Sequence, residues 1–262
     1  MGIKRNDLTF HFIYGENTYF NFTPFIRSGN KIVCTFHQPI DYFKARRWGK
    51  RLKTIDKVIL VGNSELSDFQ KILGKGKVEF IPHGICTDFY CPDYGISQKH
   101  LLLTVGNWLR NYEFANIVYH KLLDEDEDLE IVVVANADRL KDIKKHPRIQ
   151  FMSGITDESL RQLYRTCSVL FLPLKRYTAN NSLLEAAACG CNIVIASNFQ
   201  DNSYIPDEFL SLCSTNVDEC VALIKEVMGR KPNMELANYT KAHYSWEKIG
   251  VEIEQRLRNT SF

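Results

Sequence analysis

VLFLPLKRYTANNSLLEAAACGCNIVIAS, residues 169–197, decides the fold of this chain. It combines an apolar run, a polar turn, a helix of small residues that opens at Asn180-Asn181-Ser182, and a second apolar run, which is the pattern of strand, loop, helix and strand. In a parallel sheet, the N-terminus of that helix lies at the carboxyl edge of the first strand. Unpaired N–H groups and the helix dipole favour a phosphate there. We therefore expect a nucleotide-diphosphate site.

Strands and helices alternate on both sides of this stretch. Apolar runs rich in β-branched and aromatic residues predict strands over residues 8–14, 31–37, 57–61, 78–81, 101–106, 129–135, 149–152 and 209–213. Three closing helices are expected over residues 216–228, 234–243 and 246–257. The order specifies right-handed βαβ units, so the predicted fold class is α/β with open parallel sheets.

A linker divides the chain. Residues 85–99 include Pro92 and Gly95 and follow neither the helical nor the strand period. We expect a partial Rossmann-like lobe over residues 1–95, joined by a C-terminal helix at 241–262, and a complete Rossmann-like lobe over residues 96–240.

Composition excludes several classes of function. Lys and Arg number 33 against 31 Asp and Glu, a net charge of +2, so nucleic acid is not an expected partner. The eight cysteines are scattered, which indicates reduced thiols, and Cys189-Gly-Cys191 lacks the spacing of a metal site. No apolar run reaches the roughly 18 residues of a membrane span. We expect a cytoplasmic protein.

Glu185 lies near the start of the helix in the opening stretch. It shares a helix face with Asn181, four residues before it, so its carboxylate can accept two hydrogen bonds from a ribose beside the phosphate. The alternative is that Glu185 only stabilises the positive end of its own helix.

Two other strand ends carry candidate residues. Gly106 closes a strand and is followed by Asn107 and Arg110, where an arginine can pair with phosphate, or can simply be solvated. His37 ends a strand of the first lobe and would face the cleft between the lobes. It can orient an acceptor hydroxyl there, or be an ordinary core or surface histidine. His83 is expected to shape a turn.

A basic segment follows His37. A helix over residues 42–55 would carry Lys44, Arg46, Arg47, Lys50, Arg51 and Lys53 around Trp48. It can contact an anionic membrane surface or substrate, or be a solvated helix face.

Several segments together resemble a known family. TFHQP (35–39), KVILVGNSE (57–65), VEFIPHGICTDFYCP (78–92), LLTVGN (102–107) and NNSLLEAAACGCNIVIAS (180–197) are similar to the retaining glycosyltransferases of family 4, group 1 glycosyl transferases with the GT-B fold. The resemblance implies transfer of a sugar from a UDP- or GDP-linked donor, with retention of configuration, to a sugar, lipid-linked or protein acceptor. Such enzymes serve polysaccharide or glycoconjugate biosynthesis, in the cytoplasm or at the inner face of the membrane.

The resemblance also implies roles for individual residues. Glu185 matches the second glutamate of the family's E-x7-E motif, which holds the ribose, and His37 matches the histidine that faces acceptor and sugar. The backbone from Asn180 through Asn181 and Ser182 to Leu183 would hold the diphosphate. Backbone near Gly154 and Ile155 would contact the base. No cofactor or metal is expected, because the helix N-terminus and basic side chains would neutralise the leaving diphosphate.

The chain departs from the family pattern in three ways. Tyr177 replaces the first glutamate of E-x7-E, and Asn107 replaces the family's arginine, which leaves Arg110 as a substitute. The first strand and its glycine-rich loop are missing, so the N-terminal lobe is expected to be incomplete. The chain would then be a fragment, be complemented by another polypeptide or an oligomer, or be degenerate. A non-catalytic module that binds nucleotide or a partner is therefore the alternative function, and a sugar-nucleotide epimerase is a third.

Overall fold

The structure is a computed structural model that describes residues 7–22, 26, 29–141, 143–176, 179–198 and 204–258. The chain folds into two compact units, one of Met1–Gly84 with Glu247–Phe262 and one of Ile85–Trp246. Residues 85–95 and 241–246, which the sequence assigns to the first lobe, lie in the second unit. The reason is a bridge in which Ile85 N–H donates to Tyr244 O (2.7 Å) and Trp246 N–H donates to Ile85 O (3.2 Å).

The first unit contains a four-stranded sheet in the order β1-β2-β3-β4, and all three ladders are parallel. Its strands are β1 (Thr9–Phe12), β2 (Lys31–Phe36), β3 (Lys57–Leu60) and β4 (Val78–Phe80). Its helices are α1 (Gly15–Phe22), α2 (Ile40–Ala45), α3 (Gly49–Leu52), α4 (Leu66–Leu73) and most of α11 (Trp246–Arg258).

Both faces of this sheet are buried. Alternate β2 side chains point to opposite faces, as the strand period requires, so Phe36 packs with Phe43, Trp48 and Phe69 on one face. The other face buries Val33, Ile59, Ile81 and Ile249. α11 contributes Ile249, so the closing helix completes the core of the first unit.

The second unit contains a six-stranded parallel sheet in the order β10-β9-β8-β5-β6-β7. Its strands are β5 (Lys99–Val105), β6 (Glu130–Val134), β7 (Ile149–Met152), β8 (Cys167–Pro173), β9 (Ile193–Ala196) and β10 (Ser211–Cys213). Its helices are α5 (Tyr112–Glu125), α6 (Ala137–Leu140), α7 (Asp157–Thr166), α8 (Asn181–Ala188), α9 (Val217–Met228) and α10 (Met234–Tyr244). The strand order reverses between β5 and β8, which is the Rossmann arrangement.

The α/β class with two Rossmann-type parallel sheets is therefore confirmed, and the first sheet has four strands against six in the second. The opening stretch forms β8, a loop, α8 and β9 as predicted. β8 is buried along its whole length because helices cover both faces of the sheet.

Two local predictions are wrong. The single helix expected over residues 42–55 is two short helices, because Arg47 adopts a positive φ of 55° and the chain turns to bury Trp48. Ser64 follows the Gly62-Asn63 turn, so the sequence predicts it as the N-cap of a helix over residues 65–73. It does not cap α4: the N-cap is Glu65, which makes no side-chain capping bond to α4. Its carboxylate instead accepts the N–H of Ile40 over 2.7 Å, at the first residue of α2.

Candidate functional site

The strand order reverses at the carboxyl ends of β5 and β8, and α8 begins there. Asn180 has an extended backbone (φ −132°, ψ 93°), and its side chain accepts the N–H of Leu183, which makes it the N-cap of α8. The N–H groups of Asn181 and Ser182 are the first of the helix, so the helix itself offers them no acceptor. Asn180 is also buried.

Arg110 reaches this helix end from the loop after β5. Its Nη2 donates to Ser182 Oγ (2.7 Å) and Asn180 Oδ1 (3.1 Å), and its Nε donates to Val105 O (2.9 Å). All four of its hydrogen bonds in the described part of the chain go to uncharged oxygens, the fourth being Trp108 O. Burial lowers the pKa of the guanidinium from its ordinary 12.5, but an arginine remains charged at neutral pH. A positive charge is therefore fixed at the N-terminus of α8.

Gly106 makes room for this arginine. Its φ is +119°, and a Cβ atom added to it would lie 2.7 Å from Nη2 of Arg110. Leu109 also has a positive φ (57°), and its carbonyl accepts the N–H of Lys175, just beyond β8. The sequence predicts a close approach of backbone to phosphate at Gly106, whereas the group that approaches Gly106 in the structure is the Arg110 side chain.

Arg110, Asn180 and Ser182 form a hydrogen-bonded cluster, called the Arg110 cluster below. Asn107 lies outside it. Its side chain is exposed, and its Oδ1 accepts the backbone N–H of Asn136 at the start of α6. This contact links the loops that follow β5 and β6. The Asn107 carboxamide oxygen is therefore engaged with protein in this structure.

The side chain of Asn180 has a nitrogen that lacks a partner among the described residues. The N–H groups of Arg110 and Leu183 can only donate, so the oxygen of the amide must face them. The Nδ2 group then points elsewhere, and it is buried with no acceptor among the described residues. A buried donor without an acceptor is costly, and such a group at a helix N-terminus suits an anionic ligand.

Glu185 lies on the second turn of α8. Its Oε2 accepts a hydrogen bond from the hydroxyl of Tyr164 in α7 (2.8 Å). Burial raises the pKa of the carboxyl above its ordinary 4.5, although the Tyr164 hydrogen bond acts in the opposite direction. Glu185 is the fifth residue of α8, where the effect of the helix dipole is weaker than in the first turn. The hydrogen bond holds one carboxylate oxygen in place.

Gly154 and Ile155 lie in the loop between β7 and α7. Gly154 is exposed with φ +65°, and a Cβ added to it would meet nothing within 4 Å. Thr156 follows as the N-cap of α7. The loop leaves the same carboxyl edge of the sheet as Arg110 and α8.

His37 belongs to the first unit, at the carboxyl end of β2. Its ring stacks on Tyr14 (4.3 Å between centroids, 18° between planes) and meets His83 edge to face (5.9 Å). Glu16, the second residue of α1, lies 3.5 Å from Nδ1 of His37 and accepts its backbone N–H over 3.2 Å. Sequence reasoning singles out His37 and leaves His83 as a turn residue, although the structure brings the two rings together.

Several residues of these sites escape sequence reasoning. In the sequence, Tyr164 has the pattern of a core aromatic residue on an amphipathic helix. The feature that could indicate a role in the site is its hydroxyl, which needs a hydrogen-bond partner when it is buried. Glu16 and Tyr14 lie in a segment without any motif. Tyr177, which replaces the first family glutamate, lies outside the described residues.

The described ranges contain no group of three or more His, Cys, Asp or Glu side chains that could hold a metal ion. Cys189 and Cys191 are buried thiols, and Sγ of Cys191 lies 3.3 Å from Sγ of Cys167. In the part of the chain that the structure describes, no helix is both long and apolar enough to span a bilayer.

The basic segment, residues 44–53, is exposed at all six of its cationic side chains. Arg46 stacks on Tyr42 (3.7 Å to the ring centroid) and Lys44 lies 3.5 Å from Asp41. Trp48 is buried, so it anchors the segment to the unit and does not project from it.

Comparison with known proteins agrees with this fold. Residues 99–228 match the model of a family described as glycosyl transferases group 1. No sequence among curated proteins matches the chain. Sucrose-phosphate synthase from Thermosynechococcus elongatus is similar in structure, with a TM-score of 0.77 and 16% identity over 95% of this chain and 73% of that one.

Two further solved structures share the fold. HepE from Anabaena, in complex with UDP and glucose, has a TM-score of 0.70 and 13% identity over 88% of this chain and 72% of that one. A chain of the GtfA/B complex has a TM-score of 0.61 and 10% identity over 88% of this chain and 53% of that one. Residues 99–228 thus match the glycosyl transferases group 1 family, within a chain that has the fold of GT-B glycosyltransferases.

Proposed function

We propose that this chain transfers a sugar from a UDP- or GDP-linked donor to an acceptor with retention of configuration, as a hexosyltransferase of glycosyltransferase family 4. The observation that carries the proposal is the Arg110 cluster at the N-terminus of α8. A half-buried guanidinium and the buried Nδ2 of Asn180 lie together at the switch point of a Rossmann sheet. Among the described residues, the guanidinium bonds only uncharged oxygens and Nδ2 has no acceptor. Both features suit a diphosphate.

Each candidate residue then has a role. Arg110 pairs with the diphosphate and stabilises the charge that develops on it as the sugar leaves, so no metal is required. Glu185, held by Tyr164, accepts the ribose hydroxyls. Backbone at Gly154 and Ile155 contacts the base, and His37 orients the acceptor or the sugar. No side chain is assigned as a nucleophile.

The solved relatives support the donor and a partner. HepE was crystallised with UDP and glucose, which is consistent with a uridine nucleotide as donor here. The GtfA/B protein is a complex of two components, which is consistent with a complementing polypeptide. We place the protein in the cytoplasm, with the basic segment against the inner face of the membrane and a sugar, lipid-linked or protein acceptor.

Titration calorimetry with UDP, GDP and ADP tests the donor site. Arg110→Met should weaken the preferred diphosphate at least tenfold, and Glu185→Gln should weaken it several-fold, because a charged hydrogen bond contributes about 1.5–3 kcal/mol. Arg230→Met and Glu130→Gln are the matched controls. Arg230 bonds Glu226 and Ser211, and Glu130 is exposed at the start of β6. Equal affinity of Arg110→Met and wild type would refute the site.

A non-catalytic binding module remains the alternative function, and Tyr177 in place of a glutamate favours it. Measuring the release of free sugar from radiolabelled donors, with and without candidate acceptors, distinguishes a transferase from a binding module. If nucleotide binds but no donor loses its sugar, the chain is a binding module.

A further inference from the structure

We propose that Glu16 is a positioning residue for His37: its buried carboxylate holds the Nδ1 side of the imidazole, so that Nε2 is the nitrogen offered to a substrate hydroxyl. The part concerning substrate rests on the proposed function. The contact between Glu16 and His37, called the dyad below, rests on the geometry of the first unit alone.

Gly15 brings Glu16 to this position. A Cβ atom at Gly15 would lie 2.7 Å from Cβ of Cys34 and 2.9 Å from the Phe36 ring, so only glycine lets the start of α1 lie directly on β2. The next residue along the helix is then Glu16, and β2 ends at Phe36, one residue before His37. Close packing of α1 on β2 therefore sets the spacing of the dyad.

Glu16 is 5% exposed, and within the described residues its carboxylate makes its hydrogen-bond and close ring contacts to His37. Oε1 accepts the backbone N–H of His37 over 3.2 Å and lies 3.5 Å from Nδ1, whereas Oε2 is buried without a donor among the described residues. Within the described ranges, His37 is the only basic side chain within 4 Å of the Glu16 carboxylate. A buried carboxylate is costly unless it accepts hydrogen bonds, so the Nδ1–H of the imidazole is the donor that would stabilise it, beside the backbone N–H.

Two other side chains contact the His37 imidazole and fix its orientation. Tyr14 stacks on one face of the imidazole, and His83 meets its edge. Burial lowers the pKa of His83, whose Nδ1 lies 2.7 Å from Gly84 O, so His83 is neutral and donates to that carbonyl. Burial, with the charge of Glu16, raises the pKa of the Cys34 thiol, which therefore stays protonated. Among these four neighbours, Glu16 is the one that places a carboxylate oxygen beside Nδ1.

The expected consequence is a fixed tautomer. A carboxylate accepts but cannot donate, so the Nδ1 beside it must carry the proton, and the neutral imidazole then has its lone pair on Nε2. A lone pair fixed in this way can accept a hydrogen bond from the hydroxyl of an acceptor or a sugar. The separation of 3.5 Å is long for a hydrogen bond, and such contacts commonly tighten when substrate binds.

Nitrogen-15 NMR of the histidine side chains tests the dyad without any donor or acceptor. In the wild type, Nδ1 of His37 should carry the proton once the imidazole is neutral. Glu16→Leu should move the proton to Nε2, the ordinary preference, whereas Glu16→Gln, which retains an acceptor oxygen, should keep it on Nδ1. His11 and His83 serve as internal controls, because their ring partners are Thr35 and Gly84.

The wild-type spectrum alone can overturn the proposal, since an Nε2-protonated His37 is incompatible with it even if Glu16→Leu fails to fold. An unchanged tautomer in a folded Glu16→Leu variant overturns it equally. Where sugar transfer is measured, Glu16→Leu should lower kcat at least tenfold, leave the affinity for the nucleotide diphosphate unchanged, and be rescued in part by Glu16→Gln. Failure of the nucleotide titration would refute the proposed function and leave the NMR result standing.

Discussion

The guanidinium of Arg110 donates to the hydroxyl of Ser182 over 2.7 Å, across 72 residues of sequence. This bond crosses from the loop after β5 to the first turn of α8, and Gly106 leaves space for it. The proposed donor site is therefore assembled from two βα turns that meet at the centre of the second sheet.

Gly106→Ala should displace Arg110. The added Cβ would lie 2.7 Å from Nη2 and would hold an alanine at φ +119°, so we expect a loss of about 2–4 kcal/mol in the free energy of unfolding and weaker UDP binding. Urea denaturation followed by calorimetry measures both. Gly154→Ala is the matched control for stability, because φ is also positive there but the Cβ meets nothing within 4 Å, so it should cost only about 1 kcal/mol. Equal losses would argue against the steric role of Gly106.

Tyr164→Phe should release Glu185. The substitution removes only the hydroxyl that donates to the carboxylate over 2.8 Å, so we expect UDP affinity to fall about three- to tenfold and stability to fall by about 1 kcal/mol. Tyr119→Phe is a control in the same unit, since its hydroxyl bonds Thr104 inside the core. Tyr119→Phe should lower stability by a similar amount without weakening UDP binding. An unchanged UDP affinity in Tyr164→Phe would contradict the role of Tyr164 in positioning Glu185.

Glu185 should make stability depend on pH. Its pKa in the folded state is raised above 4.5 by burial, so the folded chain holds this proton more tightly than the unfolded chain does. Stability is then lost as the pH rises from the unfolded pKa through the folded one, and Glu185→Gln lacks this loss. In urea titrations from about pH 4 to about pH 8, the free energy of unfolding of Glu185→Gln should therefore rise relative to that of the wild type as the pH rises. A constant difference across this window would show that Glu185 does not titrate abnormally.

Glu65→Ala should destabilise the first unit. Both partners of the bond from Ile40 N–H to Glu65 Oε2 are buried, so its loss strands a donor and should cost about 1–3 kcal/mol in the free energy of unfolding. Asp68→Ala, three residues further on, breaks an exposed pair with Lys71 and should cost less than about 1 kcal/mol. Chemical denaturation of the two variants side by side distinguishes the capping carboxylate from a surface charge.

The basic segment should bind anionic vesicles. Six exposed cations in residues 44–53 would each contribute about 1 kcal/mol near an anionic surface. The triple variant Arg46→Glu, Arg47→Glu and Lys50→Glu should therefore abolish co-sedimentation with phosphatidylserine vesicles. The triple variant Lys75→Glu, Lys141→Glu and Lys145→Glu carries the same change in net charge elsewhere and should still sediment. Equal loss in both would show that only net charge matters.

The sequence predicts the strand-helix-strand unit from β8 to β9 well, because its apolar runs and small-residue helix are local signals. The Arg110 cluster is harder to predict. The bond from Arg110 to Asn180 joins residues that are 70 apart in sequence, so no local sequence pattern indicates it. The break at Arg47 arises from burial of Trp48, which is a tertiary effect that overrides helix propensity. The bond from Ile40 N–H to Glu65 is a tertiary effect of the same kind, because it joins two different helices.

The loop after β5 is also joined to the end of β8 by backbone bonds, from Asn111 N–H to Pro173 O (2.8 Å) and from Lys175 N–H to Leu109 O (2.9 Å). The proposed diphosphate site thus exists only when the two central strands are paired in register. A nucleotide that binds there recognises the folded sheet and not the unfolded chain, so at one hundred times its dissociation constant it would add about 2.7 kcal/mol to the stability of the second unit. The melting temperature of that unit is therefore itself a reporter of which nucleotide it prefers.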